Sequence, residues 1–362
     1  DAGRDERASG RAWPARPRCS KGMTRLELHR RQFLVNGADR GPAGWRTFLL
    51  EDALRLHAHP DLPVRSVRDR DGSSWTLLGW PVPARDATGI VESLQATPGH
   101  EVWRLSDGWA GRWVLVGRGR LGLDAAGMLG VLFNPEQRTA GSSPALIPSL
   151  GPTYAIRHSD RMNWYPGPGS GRLALRRLLP SQQLDLSRWT PVPRPLLSPV
   201  PARTYEATLD ELQTVLTRTV QGMAALGDVM VPLSAGHDSR LILGLLWAAG
   251  TRPPTFTMDR RPEMSRADQS LPERIARRLG VPHRWIPRPA AYLHPEAIDL
   301  YREQSAGHAI EQDRLYLAHG QLDHVRDGHV LLTGGAFEIA RRHYRRLPAH
   351  GGLRALGAFA PL

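Results

Sequence analysis

Residues 231–246, VPLSAGHDSRLILGLL, set a short run of small and polar residues between two apolar runs. Ser234, Ala235 and Gly236 are small enough for the backbone to wrap closely around a phosphate with its amide hydrogens turned inward. Asp238 and Ser239 follow, and the sequence predicts a helix from Arg240 to Ala249. That places both residues where unpaired amides and the helix dipole favour an anion. The hydroxyls of Ser234 and Ser239 can donate to phosphate oxygens. Asp238, itself an anion, can serve a phosphate only through a bridging Mg2+. The alternative is a plain strand-to-helix turn in which Asp238 or Ser239 caps the helix. The run lacks the lysine and the G-x-x-x-x-G-K spacing of a Walker A loop, and the G-x-G-x-x-G of a dinucleotide site.

The flanking elements decide between these readings. TYEATLDELQTVLTRTVQGMAAL carries Leu209, Leu212, Leu216, Val220 and Met223 at three-to-four spacing, which predicts an amphipathic helix. DVMVPL reads as a buried parallel strand, RLILGLLWAA as a helix closed by Gly250, and TFTM (255–258) as a strand. ADQSLPERIARRLG reads as a helix ending at Gly280, HRWI as a strand, 295–325 as helical and HVLLT as a last strand. Such alternation implies a doubly wound parallel sheet, which binds ligands beyond the C-terminal ends of its strands. The loop follows the first of those strands.

The first half of the chain reads differently. QFLVN, SWTLLGWPV, RWVLVG and RLGLDAAGMLGVLFN are short apolar runs broken by Gly, Pro and Asp, hence strands of an α+β domain. TFLLEDALRLHAH has apolar residues at helical spacing, and a short helix is expected at Ile90 to Leu94. Prolines and glycines crowd 144–201 and mark a domain boundary, with TPVPRPLLSPVPA as the linker. Residues 1–22 read as a disordered basic tail, with Met23 a candidate start.

Composition excludes several classes. Cys19 is the only cysteine of the 362 residues, so internal disulfides, a CxxC redox pair and a cysteine-based zinc site are ruled out. No apolar run approaches the roughly 20 residues of a bilayer helix, and the N-terminus lacks the apolar core of a secretory signal. No membrane partner and a cytoplasmic location are therefore expected. The net charge of +13 raises nucleic acid as a partner, but Lys21 is the only lysine and the arginines are spread along the chain, which argues against a specific site. His57 and His59 lack a third ligand at metal-binding spacing.

SAGHDS resembles the S-G-G-x-D-S loop of the ATP pyrophosphatases, the family in which asparagine synthetases bind the pyrophosphate of ATP and adenylate a carboxylate. Asp268, Ala276, Gly280 and His283 stand in the order of a further family stretch. LTGGAFEIARRHYRR resembles the later G-x-G-x-D-E loop, with Gly335 and Glu338 matching and Phe337 where the family has an acid. DGWAGRWVLVGRGRLGLDAAGMLGVLFN and LRRLLPSQQLDL resemble the closing part of the family's glutaminase domain. That glutaminase uses a cysteine directly after the initiator methionine. Here Met23 is followed by Thr24, so the resemblance implies a scaffold without ammonia production.

The resemblance therefore implies a glutaminase-like (Ntn-like) domain over 23–190, a linker over 191–203 and a PP-loop ATP-binding domain over 204–362 that stops short of the family's last helices. ATP with Mg2+ is expected at Ser234, Ala235, Gly236, His237, Asp238, Ser239, Thr257 and Gly335, with Asp238 on the metal. Arg240 either neutralises a phosphate or pairs with a surface acid. Glu338 either orients a substrate amine or pairs with Arg341 or Arg342. The implied activity is amide-bond formation between a carboxylate and an amine through an acyl-adenylate. The alternatives are a non-catalytic relative that acts as a binding protein and, less in keeping with the N-terminal resemblance, an enzyme acting on RNA.

Overall fold

The computed structural model describes residues 29–85, 87–147, 168–170, 172, 174–194, 203–260, 264–287 and 328–334. The chain is mixed α/β, with two antiparallel sheets followed by a four-stranded parallel sheet.

Among the described residues twelve strands make the antiparallel part: β1 (Phe33–Asn36), β2 (Arg46–Leu49), β3 (Arg55–Ala58), β4 (Val64–Arg68), β5 (Ser74–Pro83), β6 (Trp109–Gly117), β7 (Arg120–Leu123), β8 (Leu132–Asn134), β9 (Thr139–Gly141), β10 (Arg176–Arg177), β11 (Gln182–Asp185) and β12 (Thr190–Pro193). They order as β10-β8-β9-β1-β3-β2 and β12-β11-β7-β6-β5-β4. Phe33 and Leu56 of the first sheet share one buried cluster with Leu78, Val114, Leu121 and Leu184 of the second, so the sheets pack face to face. The opposite face of the second sheet presents Trp75, Leu77, Trp113 and Leu115. These are covered by α1 (Ile90–Ala96) and α2 (Val102–Ser106) through Ile90, Leu94 and Val102. A strand buried on both faces needs apolar side chains in both phases of its pleat, and this is why SWTLLGW is nearly continuous rather than alternating.

Two local expectations are corrected. TFLLEDALRLHAH is not a helix: it folds as β2 and β3, paired antiparallel with Phe48 opposite Leu56, around a one-turn 3-10 segment at Glu51–Ala53. Strand pairing puts Leu54 and Leu56 into the core between the sheets, and that burial overrides the local helical spacing. The first residues of the expected linker form a strand instead. Thr190–Pro193 pairs with β11, with Pro191 opposite Leu184 and Pro193 opposite Gln182. β12 lies at the sheet edge, where a missing ladder donor is tolerated.

The second part contains α3 (Tyr205–Ala224), β13 (Asp228–Pro232), α4 (His237–Ala248), β14 (Thr255–Met258), α5 (Arg266–Leu279), β15 (His283–Ile286) and β16 (His329–Leu331). The four strands are parallel in the order β15-β14-β13-β16. Thr204 caps α3 by accepting from the Ala207 N–H, and Ser265 caps α5 by accepting from the Asp268 N–H. Gly250 and Gly280 close α4 and α5 with φ of +82° and +67°, a left-handed turn that costs glycine little. The expected stripe on α3 is buried only in part: Val220 is enclosed, while Leu209 and Leu212 are 47% and 50% exposed. The C-terminal half of α3 reaches back to the antiparallel part at Gly222, where a Cβ would come within 2.8 Å of Val82. No described helix is long and apolar enough to cross a membrane. The expected tail 1–22, Met23, Thr24, Cys19 and the helical region 295–325 lie outside the described residues.

Candidate functional site at the switch of the parallel sheet

The chain leaves β13 for β14 and β15 on one side, then returns to β16 on the other side of β13. Strand order reverses there, and the crevice beyond the C-terminal ends of two such neighbouring strands is where an open parallel sheet takes its ligand. The loops at that crevice are 233–236, after β13, and 332–334, after β16. They meet: a Cβ on Gly334 would lie 2.7 Å from Asp238 C and Cβ and 2.8 Å from Ser239 N. Only glycine lets the second loop approach the start of α4 this closely.

The helix begins earlier than the sequence suggests. Gly236 is the N-cap, and His237, Asp238 and Ser239 form the first turn. The N-cap glycine offers no side-chain cap, and the positive end of the helix dipole lies at the crevice. His237 is exposed and Asp238 half-buried. Ser239 is buried, and one turn into the helix its hydroxyl reaches back into the loop. It accepts from the Ser234 N–H at 3.1 Å and shares a 3.0 Å hydrogen bond with Ser234 Oγ. Ser234 Oγ also accepts from the Gly236 N–H at 3.1 Å. Gly236 has φ of −65°, so its small size matters for this contact rather than for a left-handed backbone: a Cβ there would sit 3.1 Å from Ser234 Oγ. The Arg240 Nε–H donates to Gly236 O at 3.2 Å, which folds the guanidinium back over the loop.

The root of the loop is held from the neighbouring strands. Thr257 is buried on β14 and donates its hydroxyl to Leu233 O at 2.7 Å. His283, the first residue of β15, lies 2.9 Å from Thr255 Oγ1 through Nδ1 and 3.5 Å from Thr257 Oγ1 through Nε2. Burial pulls the His283 imidazole below its ordinary value, against a smaller opposing effect of Glu273. The outer side of the loop is held from α5, where Asp268 Oδ1 accepts from the Ala235 N–H at 2.8 Å.

Of the predicted residues, Ser234, Ala235, Gly236, His237, Asp238, Ser239 and Arg240 are thus gathered at one crevice. Thr257 and Ser239, two of the residues expected at the nucleotide, have hydroxyls engaged within the chain. Thr257 lies beneath the loop and supports it, because its hydroxyl is buried in the sheet. The Ser239 hydroxyl is spent inside the loop, because an early helix start turns it inward. Gly335, Phe337, Glu338, Arg341 and Arg342 lie outside the described residues. The sequence reading missed Gly334, for which the doubled glycine of LTGG was the available signal, and it missed that Asp268 reaches across to Ala235. Among the described residues no group of three or more acidic, histidine or cysteine side chains gathers. His57 and His59 are structural: His57 sits 3.0 Å from Thr47 Oγ1, and His59 Nδ1 accepts from the Asp61 N–H. No protein-family model matches the chain, and no curated protein matches it.

Proposed function

We propose that the crevice binds Mg-ATP and that the chain uses it to join a carboxylate to an amine through an acyl-adenylate. The observation that carries this reading is the meeting of the SAGHDS loop with the loop at 332–334 at the switch of the parallel sheet, where Gly334 leaves no Cβ between them. In this reading the second part is a PP-loop ATP pyrophosphatase domain, and the two-sheet sandwich is a glutaminase-like, Ntn-type scaffold.

The residues suit the group. Mg2+ is held by one or two carboxylates together with phosphate oxygens and water, so Asp238 alone is a sufficient protein ligand. The metal would neutralise charge that develops on the phosphates as pyrophosphate leaves. The start of α4, with the positive end of its dipole, and the Ser234 hydroxyl would bind phosphate oxygens, and Arg240, already folded over the loop, would lie beside them. Loops after β13 and β16 would hold the substrate carboxylate in line with the bond to be broken, which is the contribution of positioning to such a transfer.

Asp238→Ala should abolish ATP–pyrophosphate exchange in the presence of a correct carboxylate, and unchanged exchange would refute the assignment. A second reading, a non-catalytic relative whose loop holds no phosphate, is favoured by one observation: the amides of Ser234, Ala235 and Gly236 already have acceptors within the chain. Titration calorimetry with Mg-ATP separates the two, since absence of heat leaves only the second.

A further inference from the structure

We infer that Asp268 is a positioning residue for the phosphate loop, acting through the Ala235 amide; the inference rests on the nucleotide reading of the crevice. Asp268 is the third residue of α5, and its own N–H donates to the N-cap Ser265 Oγ at 3.1 Å. An acid at this position of a capping box ordinarily turns back to its own N-cap backbone. Here the Ser265 hydroxyl donates to Oδ2 at 2.7 Å and fixes the carboxylate plane, while Oδ1 leaves the helix and accepts from Ala235, 33 residues earlier in the chain.

That bond orients the loop. With the Ala235 N–H drawn towards α5, and the Gly236 and Ser234 amides closed on the two serine hydroxyls, the 234–236 backbone is fixed in one conformation before any ligand arrives. Preorganisation of this kind lowers the ordering cost of binding. The feature that matters is an acceptor at Oδ1, rather than the negative charge, which by itself opposes an anionic ligand. An asparagine should therefore serve where an alanine does not.

The test uses magnesium with inorganic pyrophosphate as the calorimetric probe, on the full chain. Asp268→Ala should weaken binding about tenfold, the scale of one lost charge-assisted hydrogen bond. Asp268→Asn should stay within about threefold of wild type. In the absence of ligand, hydrogen exchange at the Ala235 amide should accelerate at least about tenfold in Asp268→Ala and remain slow in Asp268→Asn. Equal binding in wild type and Asp268→Ala overturns the inference, as does an asparagine variant that fails like alanine. If wild type itself does not bind magnesium pyrophosphate, the nucleotide reading falls. Exchange at Ala235 then decides alone whether Asp268 positions the loop, and unchanged exchange in Asp268→Ala refutes it.

Discussion

The closest approach in the crevice gives a sharp prediction. Gly334→Ala places a Cβ 2.7 Å from Asp238 C and Cβ and 2.8 Å from Ser239 N, against the roughly 3.5–4 Å of an ordinary carbon contact. The loop after β16 must then retreat from α4 by the better part of an ångström, because the obstructing atoms are mostly backbone in the first helical turn. Overpacking of this size costs about 1–3 kcal/mol. Part of that cost should appear as lost stability and part as lost alignment of the two loops. Gly244→Ala is the internal control: it lies within α4, its Cβ meets nothing within 4 Å, and replacing glycine in a helix should stabilise the protein by about 1 kcal/mol. Urea titration of both variants, followed by Mg-ATP calorimetry, reads the two effects. A Gly334→Ala protein with wild-type urea midpoint and wild-type affinity would show that the loops do not meet as described.

Two further outcomes are expected elsewhere. Burial holds His283 neutral below the ordinary imidazole value of 6.5, so protonation favours the unfolded chain: its contribution is complete above 6.5 and is lost as pH falls through the window below it. His283→Gln should flatten the stability profile as pH falls below 6.5, and an unchanged slope would show that the group does not titrate there. Arg194 donates to Leu123 O at 2.9 Å and pairs with Asp107, their side chains being 10% and 18% exposed, and so ties the end of β12 to the turn after α2. Arg194→Ala should cost about 3–5 kcal/mol by stranding the acid, measured by urea unfolding. Burial already pushes the Asp107 carboxyl up, against the pull of Arg194. A loss under about 1 kcal/mol would class the pair with exposed ones.

Much of the parallel sheet was legible because each of its signals is local. TFTM, HRWI and DVMVP are short apolar runs between turn residues, and Gly250 and Gly280 mark helix ends whose left-handed backbone only small residues adopt readily. The misreadings share a cause. In TFLLEDALRLHAH the helical spacing was real, but Leu54 and Leu56 gained more from the core between two sheets than from a helix. In TPVPR the prolines suggested a linker, and they are admitted only because β12 is an edge. Neither fact is visible without knowing what packs opposite.

The candidate site shows the same limit more clearly. SAGHDS is contiguous in sequence, so its small residues and its acid could be found by inspection, but its shape is imposed by residues that are not contiguous with it. Thr257 holds the Leu233 carbonyl from one strand away, His283 lies behind Thr257 from two strands away, Asp268 takes the Ala235 amide from the next helix, and Gly334 closes the far side. Each support comes from the parallel unit that follows β13. The loop is therefore a property of the sheet, and its stability should track that sheet. If so, variants at Thr257 and Asp268 should alter exchange of the loop amides together, while leaving the sandwich core around Phe33 and Val114 unaffected. Hydrogen exchange resolved along the chain tests this, and loop protection that survives both variants would show that SAGHDS holds its own shape.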